Sequence, residues 1–121
     1  MPSRLRILLI ASEVAPFAKT GGLADVAGAL PRALAALGHD VRILLPKYRG
    51  AEGQAGETRL VVPNIRVPLG DRDAEGALIE GRAPSGVPVY LLEHEHYYNR
   101  DSLYGTSDGD YWDNCERFVF F

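Results

Sequence analysis

Leu5, Ile7, Leu8, Leu9 and Ile10 form a nearly unbroken apolar run behind Arg4. Such a run is long enough for a strand buried on both faces and too short for a helix, so it predicts a first strand over residues 4–10. A segment with Pro16 and the pair Gly21-Gly22 follows. Leu23, Val26, Ala27, Leu30, Leu34 and Leu37 then recur at helical spacing and predict a helix with that stripe facing a core. Pro31 lies inside the stripe and removes one backbone donor, which predicts a kink or a split there. Gly38 is a natural stop. Val41, Ile43, Leu44 and Leu45, closed by Pro46, read as a second buried strand. Strand, glycine-bearing loop, helix and strand make one βαβ unit, and the fold class that follows is α/β: Rossmann-like, a mostly parallel sheet with flanking helices.

The middle of the chain is β-rich but polar-interleaved. Thr58 to Val67 and Ala77 to Ile79, punctuated by Gly70-Asp71-Arg72-Asp73 and Pro84-Ser85-Gly86, predict hairpin or edge strands. Val87, Val89, Tyr90, Leu91 and Leu92 rebuild a buried strand, with Pro88 near its start where a missing donor does least harm. Asp110 reads as an N-cap for a last helix carrying Trp112, Cys115, Phe118 and Val119 on its apolar stripe. That helix runs into Phe120-Phe121 without a cap or polar tail, and the expectation is a chain cut inside a larger domain.

Composition narrows the function classes. At 121 residues with 46% hydrophobic positions the chain fits one globular domain. Its formal charge of −3 gives no footprint for nucleic acid and no attraction to an anionic membrane. The charge is uneven, at +4 over residues 1–50 and −7 over residues 51–121, so the positive side travels with the N-terminal glycines. Cys115 is the single cysteine, no apolar run reaches a membrane span and no signal peptide is legible, which together predict a reduced, cytoplasmic setting.

The sharpest chemical signal is Lys19-Thr20-Gly21-Gly22-Leu23-Ala24-Asp25, between the first strand's C-terminal edge and the first helix. Ligands of open α/β sheets bind at that edge. Paired glycines let backbone approach a phosphate, the helix start offers unpaired N–H groups, and Lys19 adds a mobile positive charge. The pattern is neither G-x-x-x-x-G-K-[ST] nor G-x-G-x-x-G, so it supports neither a P-loop NTPase nor a dinucleotide site. The same spacing also fits a glycine turn that only lets the helix pack on the sheet, and spacing leaves both readings open. His94 and His96 flank Glu95 with no third clustered ligand, so no metal site is expected. Cys115 reads as a small core residue, and Tyr97, Tyr98 and Tyr104 as aromatics anchoring a loop.

The run Ala11-Ser12-Glu13-Val14-Ala15-Pro16-Phe17-Ala18-Lys19-Thr20-Gly21-Gly22-Leu23-Ala24-Asp25-Val26, followed by Gly28-Ala29-Leu30-Pro31, closely resembles the opening of bacterial glycogen synthases and plant starch synthases. The likeness continues at Gly38-His39-Asp40-Val41 and Leu44-Leu45-Pro46-Lys47-Tyr48. It returns at Tyr97-Tyr98-Asn99-Arg100, Leu103-Tyr104-Gly105, Asp113-Asn114 and Glu116-Arg117-Phe118. Gly50 to Gly86 carries least of it. Asp101-Ser102 stands where relatives commonly read Pro-Gly, and Trp112 where a proline is frequent, departures that touch loop geometry.

The resemblance implies that residues 1–121 are the N-terminal starch/glycogen synthase catalytic domain, incomplete at its C-terminus, of a two-domain glycosyltransferase of the B architecture. It implies retaining transfer of glucose from ADP-glucose to the non-reducing end of an α-1,4-glucan, without metal or other cofactor. Lys19 is then the donor contact, and Gly21 and Gly22 lie against the phosphates. Asp25 and Glu13 belong to the sugar-binding cleft, and Tyr104 is carried over with them. The catalytic residues are expected beyond residue 121, in the rest of the enzyme that partners this chain, so the chain alone is expected to be inactive. Two plainer roles stay open from the residues themselves: Asp25 suits the helix dipole, and Glu13 suits a loop ion pair with an arginine. The other function classes are a phosphosugar- or nucleotide-binding module without turnover, and a different doubly wound enzyme, against which the missing G-x-G-x-x-G counts.

Overall fold

The computed structural model describes residues 3–121. A five-stranded sheet is built from β1 (Arg6–Ile10), β2 (Asp40–Pro46), β3 (Arg59–Leu69), β4 (Arg72–Arg82) and β5 (Pro88–Glu93), in the order β1-β2-β5-β4-β3. β1, β2 and β5 pair in parallel, β4 runs against both its neighbours, and β3 resumes the common direction. Four of the five strands therefore point the same way, with β4 reversed, and the predicted α/β class holds. The helices are α1 (Gly22–Ala36), the short α2 (Glu95–Tyr98) and α3 (Asn114–Phe120); a two-stranded ribbon of β6 (Gly105–Thr106) and β7 (Gly109–Asp110) precedes α3.

The βαβ unit forms as the apolar periodicity predicts, and the structure makes three corrections, two of them within that unit. β1 is an edge strand: Leu8 and Ile10 stay 51% and 57% exposed, because β2 separates β1 from the rest of the sheet and one face is uncovered. α1 is one helix that runs through Pro31, and it buries Ala24, Ala27 and Pro31, leaving Leu23, Val26, Leu30 and Leu37 exposed. Small side chains win that face because the helix lies tight against the loop before it. A Cβ on Gly28 would stand 2.8 Å from the Ala15 carbonyl oxygen, and the Ala15 N–H donates to the Ala24 carbonyl at 3.0 Å. Gly38 ends the helix as predicted, with φ of 95° and its N–H on the Ala35 carbonyl at 2.9 Å.

The third correction concerns α3. Asp110 belongs to β7, and Asp113 occupies the N-cap position with its carboxylate committed to a bidentate pair with Arg100 at 2.8 and 2.6 Å. Trp112, Cys115 and Val119 face outward, Trp112 at 87% exposure, and Cys115 is not a core residue. The buried face is Asp113, Arg117 and Phe120. Arg117 is wholly buried: Nε donates to the Tyr97 carbonyl at 2.6 Å, and Nη1 donates to the Leu103 carbonyl and Asn114 Oδ1, each at 2.8 Å. Its guanidinium carbon lies 5.8 Å from the Tyr98 ring centroid and 5.0 Å from that of Tyr111, within cation–π range, and Nη2 is buried with no hydrogen-bond partner among the described residues. These contacts clamp the segment from Tyr97 to Leu103 onto α3.

The middle segment is the predicted hairpin, long and with two register shifts between Leu60 and Ile65, turning at Gly70 with φ of 68°. Pro63 and Pro68 lie on β3, the edge strand, and Pro63 sits in a register irregularity where no ladder donor is needed. His94 caps α2: its Nδ1 accepts the Tyr97 N–H at 3.1 Å while its ring stacks on Tyr97. Tyr97 and Tyr98 are core residues, as expected of a loop anchor, together with Ile43, Leu45, Tyr48, Val89, Leu91 and Phe120.

Candidate functional site

The loop between β1 and α1 is anchored from below by its own apolar residues. Val14, Phe17 and Ala18 are buried, and the Phe17 and Ala18 N–H groups both donate to the Val14 carbonyl, at 2.8 and 3.0 Å. That compact turn, which contains a cis Ala15-Pro16 bond, leaves Lys19 to Gly22 on the rim. Gly21 is the N-cap of α1, extended (φ −165°, ψ −158°) and without a side-chain cap, so the first helical amides remain unclaimed by side chains.

Neither glycine of the pair is there for the fold. Gly21 and Gly22 have no positive φ, and a Cβ built on either meets nothing within 4 Å. The glycine that lets the helix pack is Gly28. The open space over Gly21 and Gly22 is what a ligand approaching backbone amides requires. Lys19 Nζ lies 2.8 and 3.0 Å from the two carboxylate oxygens of Asp25, and both side chains are more than half exposed. An exposed pair of this kind holds by less than about 1 kcal/mol, so Lys19 and Asp25 separate at little cost.

Glu13 lies beneath the rim at 5% exposure. Oε1 accepts the Thr20 N–H at 2.6 Å and the Gly21 N–H at 3.3 Å; Oε2 accepts the Thr20 hydroxyl and the Tyr104 hydroxyl, both at 2.7 Å. Among the described residues no arginine pairs with it. Burial alone would raise its pKa, but these hydrogen bonds outweigh burial and hold the carboxyl below its ordinary value. Tyr104 is pushed up to about 12, chiefly by burial and further by the Glu13 charge. A neutral phenol beside a carboxylate must donate to it, so Ser12 Oγ, 2.8 Å away, donates in turn to Tyr104. Tyr48 donates to the Ser12 carbonyl at 2.7 Å and closes the network.

The structure thus brings all six predicted residues to one loop: Lys19, Gly21, Gly22 and Asp25 on its rim, Glu13 and Tyr104 below. Thr20, Ser12 and Tyr48 complete that network; sequence gives no role to the Ser12 and Tyr48 hydroxyls, because a partner 92 or 36 residues away leaves no local pattern. Arg117 was missed because burial of a lone arginine has no periodic signature.

A family model described as the starch synthase catalytic domain matches residues 6–121. The chain is 56% identical over 117 residues to the glycogen synthase of Syntrophotalea carbinolica and 48% identical to glycogen synthase 2 of Geobacter sulfurreducens, in each case over 97% of this chain and 24% of the relative. It also resembles the catalytic domain of starch synthase IV from Arabidopsis thaliana, solved bound to ADP and acarbose. The TM-score is 0.74 at 31% identity, covering 88% of this chain and 22% of that one. This chain accordingly spans about a quarter of the length of its curated relatives. The match includes Gly50 to Gly86, where motifs are sparsest, and it runs from the first strand through the last helix; the chain belongs to the starch synthase catalytic domain family.

Proposed function

We propose that this chain is the N-terminal portion of a glycogen synthase, supplying part of the donor site and part of the acceptor surface of an enzyme that moves glucose from ADP-glucose to the non-reducing end of an α-1,4-glucan with retention. The observation that carries the reading is the pair Gly21-Gly22: backbone left open at an uncapped helix start, required neither by φ nor by packing, next to a mobile lysine. The names of the relatives and a structural neighbour bound to ADP and acarbose point the same way.

In this reading the Gly22 amide and the Lys19 ammonium face the donor's diphosphate, while the Gly21 amide is held from beneath by Glu13. Negative charge grows on that diphosphate as its bond to the sugar breaks, and oriented amides plus a cation stabilise it without having to reorganise. Asp25, once released from Lys19, is free to accept from a sugar hydroxyl. Glu13 and Tyr104 belong to the same site from beneath. The catalytic residues and the remainder of the cleft come from the rest of the polypeptide, and the setting is the cytoplasm; among the described residues no helix is long and apolar enough to cross a membrane.

The test is Lys19→Ala in the complete enzyme, assayed by incorporation of labelled glucose from ADP-glucose into glycogen. Loss of one charged contact to phosphate raises the donor KM about tenfold or more. Unchanged donor kinetics would remove this loop from the donor site.

A further inference from the structure

A carboxylate offers about four acceptor positions, and all four on Glu13 are taken within the protein. Its near-complete burial leaves no face for a ligand. What it does instead is hold two consecutive backbone amides, Thr20 and Gly21, at the point where the chain enters α1. The residues that follow, Gly21 and Gly22, have no side chains and no packing contact of their own, so little else restrains them. Glu13 in turn depends on Tyr104, which lies 91 residues further along and donates to the same oxygen as the Thr20 hydroxyl.

Tyr104 is fixed independently of the loop. Its carbonyl accepts the Asn114 side-chain amide at 2.8 Å and the Tyr111 N–H at 2.9 Å, and its ring packs 5.7 Å from Phe118. The β6–β7 ribbon and α3 therefore hold the phenol, the phenol holds the carboxylate, and the carboxylate holds the loop.

We propose that Glu13 and Tyr104 are positioning residues: they preset the Thr20–Gly22 backbone to receive the diphosphate of a nucleoside diphosphate, and neither contacts the sugar. This rests on the donor-site reading above. A preset loop binds without first losing conformational freedom, so loosening it weakens every ligand that uses the diphosphate, with or without glucose attached.

The experiment uses the complete enzyme with Tyr104→Phe, which removes one hydroxyl and keeps the ring, and Lys19→Ala beside it. Affinity for ADP, which has no sugar, is measured by calorimetry next to KM values for ADP-glucose and for a maltooligosaccharide acceptor. Amide exchange at Thr20 and Gly21 reports the loop directly. Tyr104→Phe is expected to weaken ADP and ADP-glucose by the same factor, about three- to tenfold, to speed exchange at both amides, and to leave the acceptor KM in place. ADP affinity that stays unchanged while ADP-glucose or acceptor binding suffers would make Tyr104 a sugar contact and overturn the proposal, and so would no change anywhere. If Lys19→Ala loses ADP affinity and Tyr104→Phe does not, positioning fails and the donor-site reading stands. If Lys19→Ala also leaves ADP affinity untouched, the donor-site reading itself fails and takes this proposal with it.

Discussion

Gly22→Ala is expected to make the protein more stable and the enzyme worse. Alanine is favoured over glycine in a helix by up to about 1 kcal/mol, and at Gly22 the new methyl meets nothing within 4 Å. Amide exchange in the first turn of α1 should slow by up to about fivefold. The same methyl occupies the space through which a phosphate oxygen would reach the Gly22 amide. Losing one amide bond to a charged oxygen costs about 1.5–3 kcal/mol, a rise of roughly tenfold to a hundredfold in the Kd for ADP. Gly28→Ala is the control, because the identical chemical change falls six residues along the same helix. Its methyl would stand 2.8 Å from the Ala15 carbonyl oxygen, and backbone cannot turn aside. Overpacking of about 1–3 kcal/mol then outweighs the propensity gain and leaves a net loss of about 1 kcal/mol. Calorimetry with ADP and exchange of the α1 amides in the complete enzyme read both effects. Unaltered ADP binding in Gly22→Ala would show that the open space over the glycines is not a ligand's, and faster exchange there would show that the fold needs the glycine after all.

The acid limb of stability is expected to follow Glu13 and Asp113. Both carboxyls are held below their ordinary values, Glu13 by its hydrogen bonds against burial and Asp113 foremost by Arg100. A depressed folded-state pKa contributes stability that is complete above the unfolded value and is lost as pH falls through the folded one. Urea midpoints should therefore be flat above about pH 5 and drop below the ordinary carboxylate values near pH 4; a drop of equal depth in Glu13→Gln and Asp113→Asn would assign the acid limb elsewhere. Arg117→Met should destabilise the domain by about 3 kcal/mol, since it leaves the buried Tyr97 and Leu103 carbonyls without their donor. Urea unfolding of the complete enzyme checks this, and a variant as stable as the parent would show that burying the guanidinium costs as much as its hydrogen bonds return.

Element types were largely legible because apolar periodicity reports them directly: the strand at Arg6–Ile10, the helix from Gly22, the strand at Asp40–Pro46, the hairpin and the Pro88 strand all emerge from it. Which face is buried was less legible. The apolar stripe on α1 rightly includes Ala27 but also Leu23, Val26 and Leu30, whereas close contact with the Ala15 carbonyl demands the smallest side chains, so Ala24 joins Ala27 facing inward and the larger residues stay exposed. On α3 the aromatic stripe misled in the same way, because Arg117 satisfies two backbone carbonyls that no apolar residue could. Lys19, Gly21 and Gly22 could be chosen from sequence since phosphate chemistry is local to a helix start. The behaviour of Glu13 could not, since its partner Tyr104 is set by the far end of the chain.

The free edge of β1 has a bearing on how this piece of protein behaves in a test tube. Among the described residues no strand pairs with the outer edge of β1, and Leu8 and Ile10 lie half-exposed beside it, with the outward leucines of α1 on the neighbouring element. Such a border is a template for any extended strand, including another copy of itself. Handled alone at high concentration, these residues carry their own route to self-association, and the border that makes them sticky is also where further strand could add to the sheet without disturbing the loop on which Lys19 and Glu13 sit.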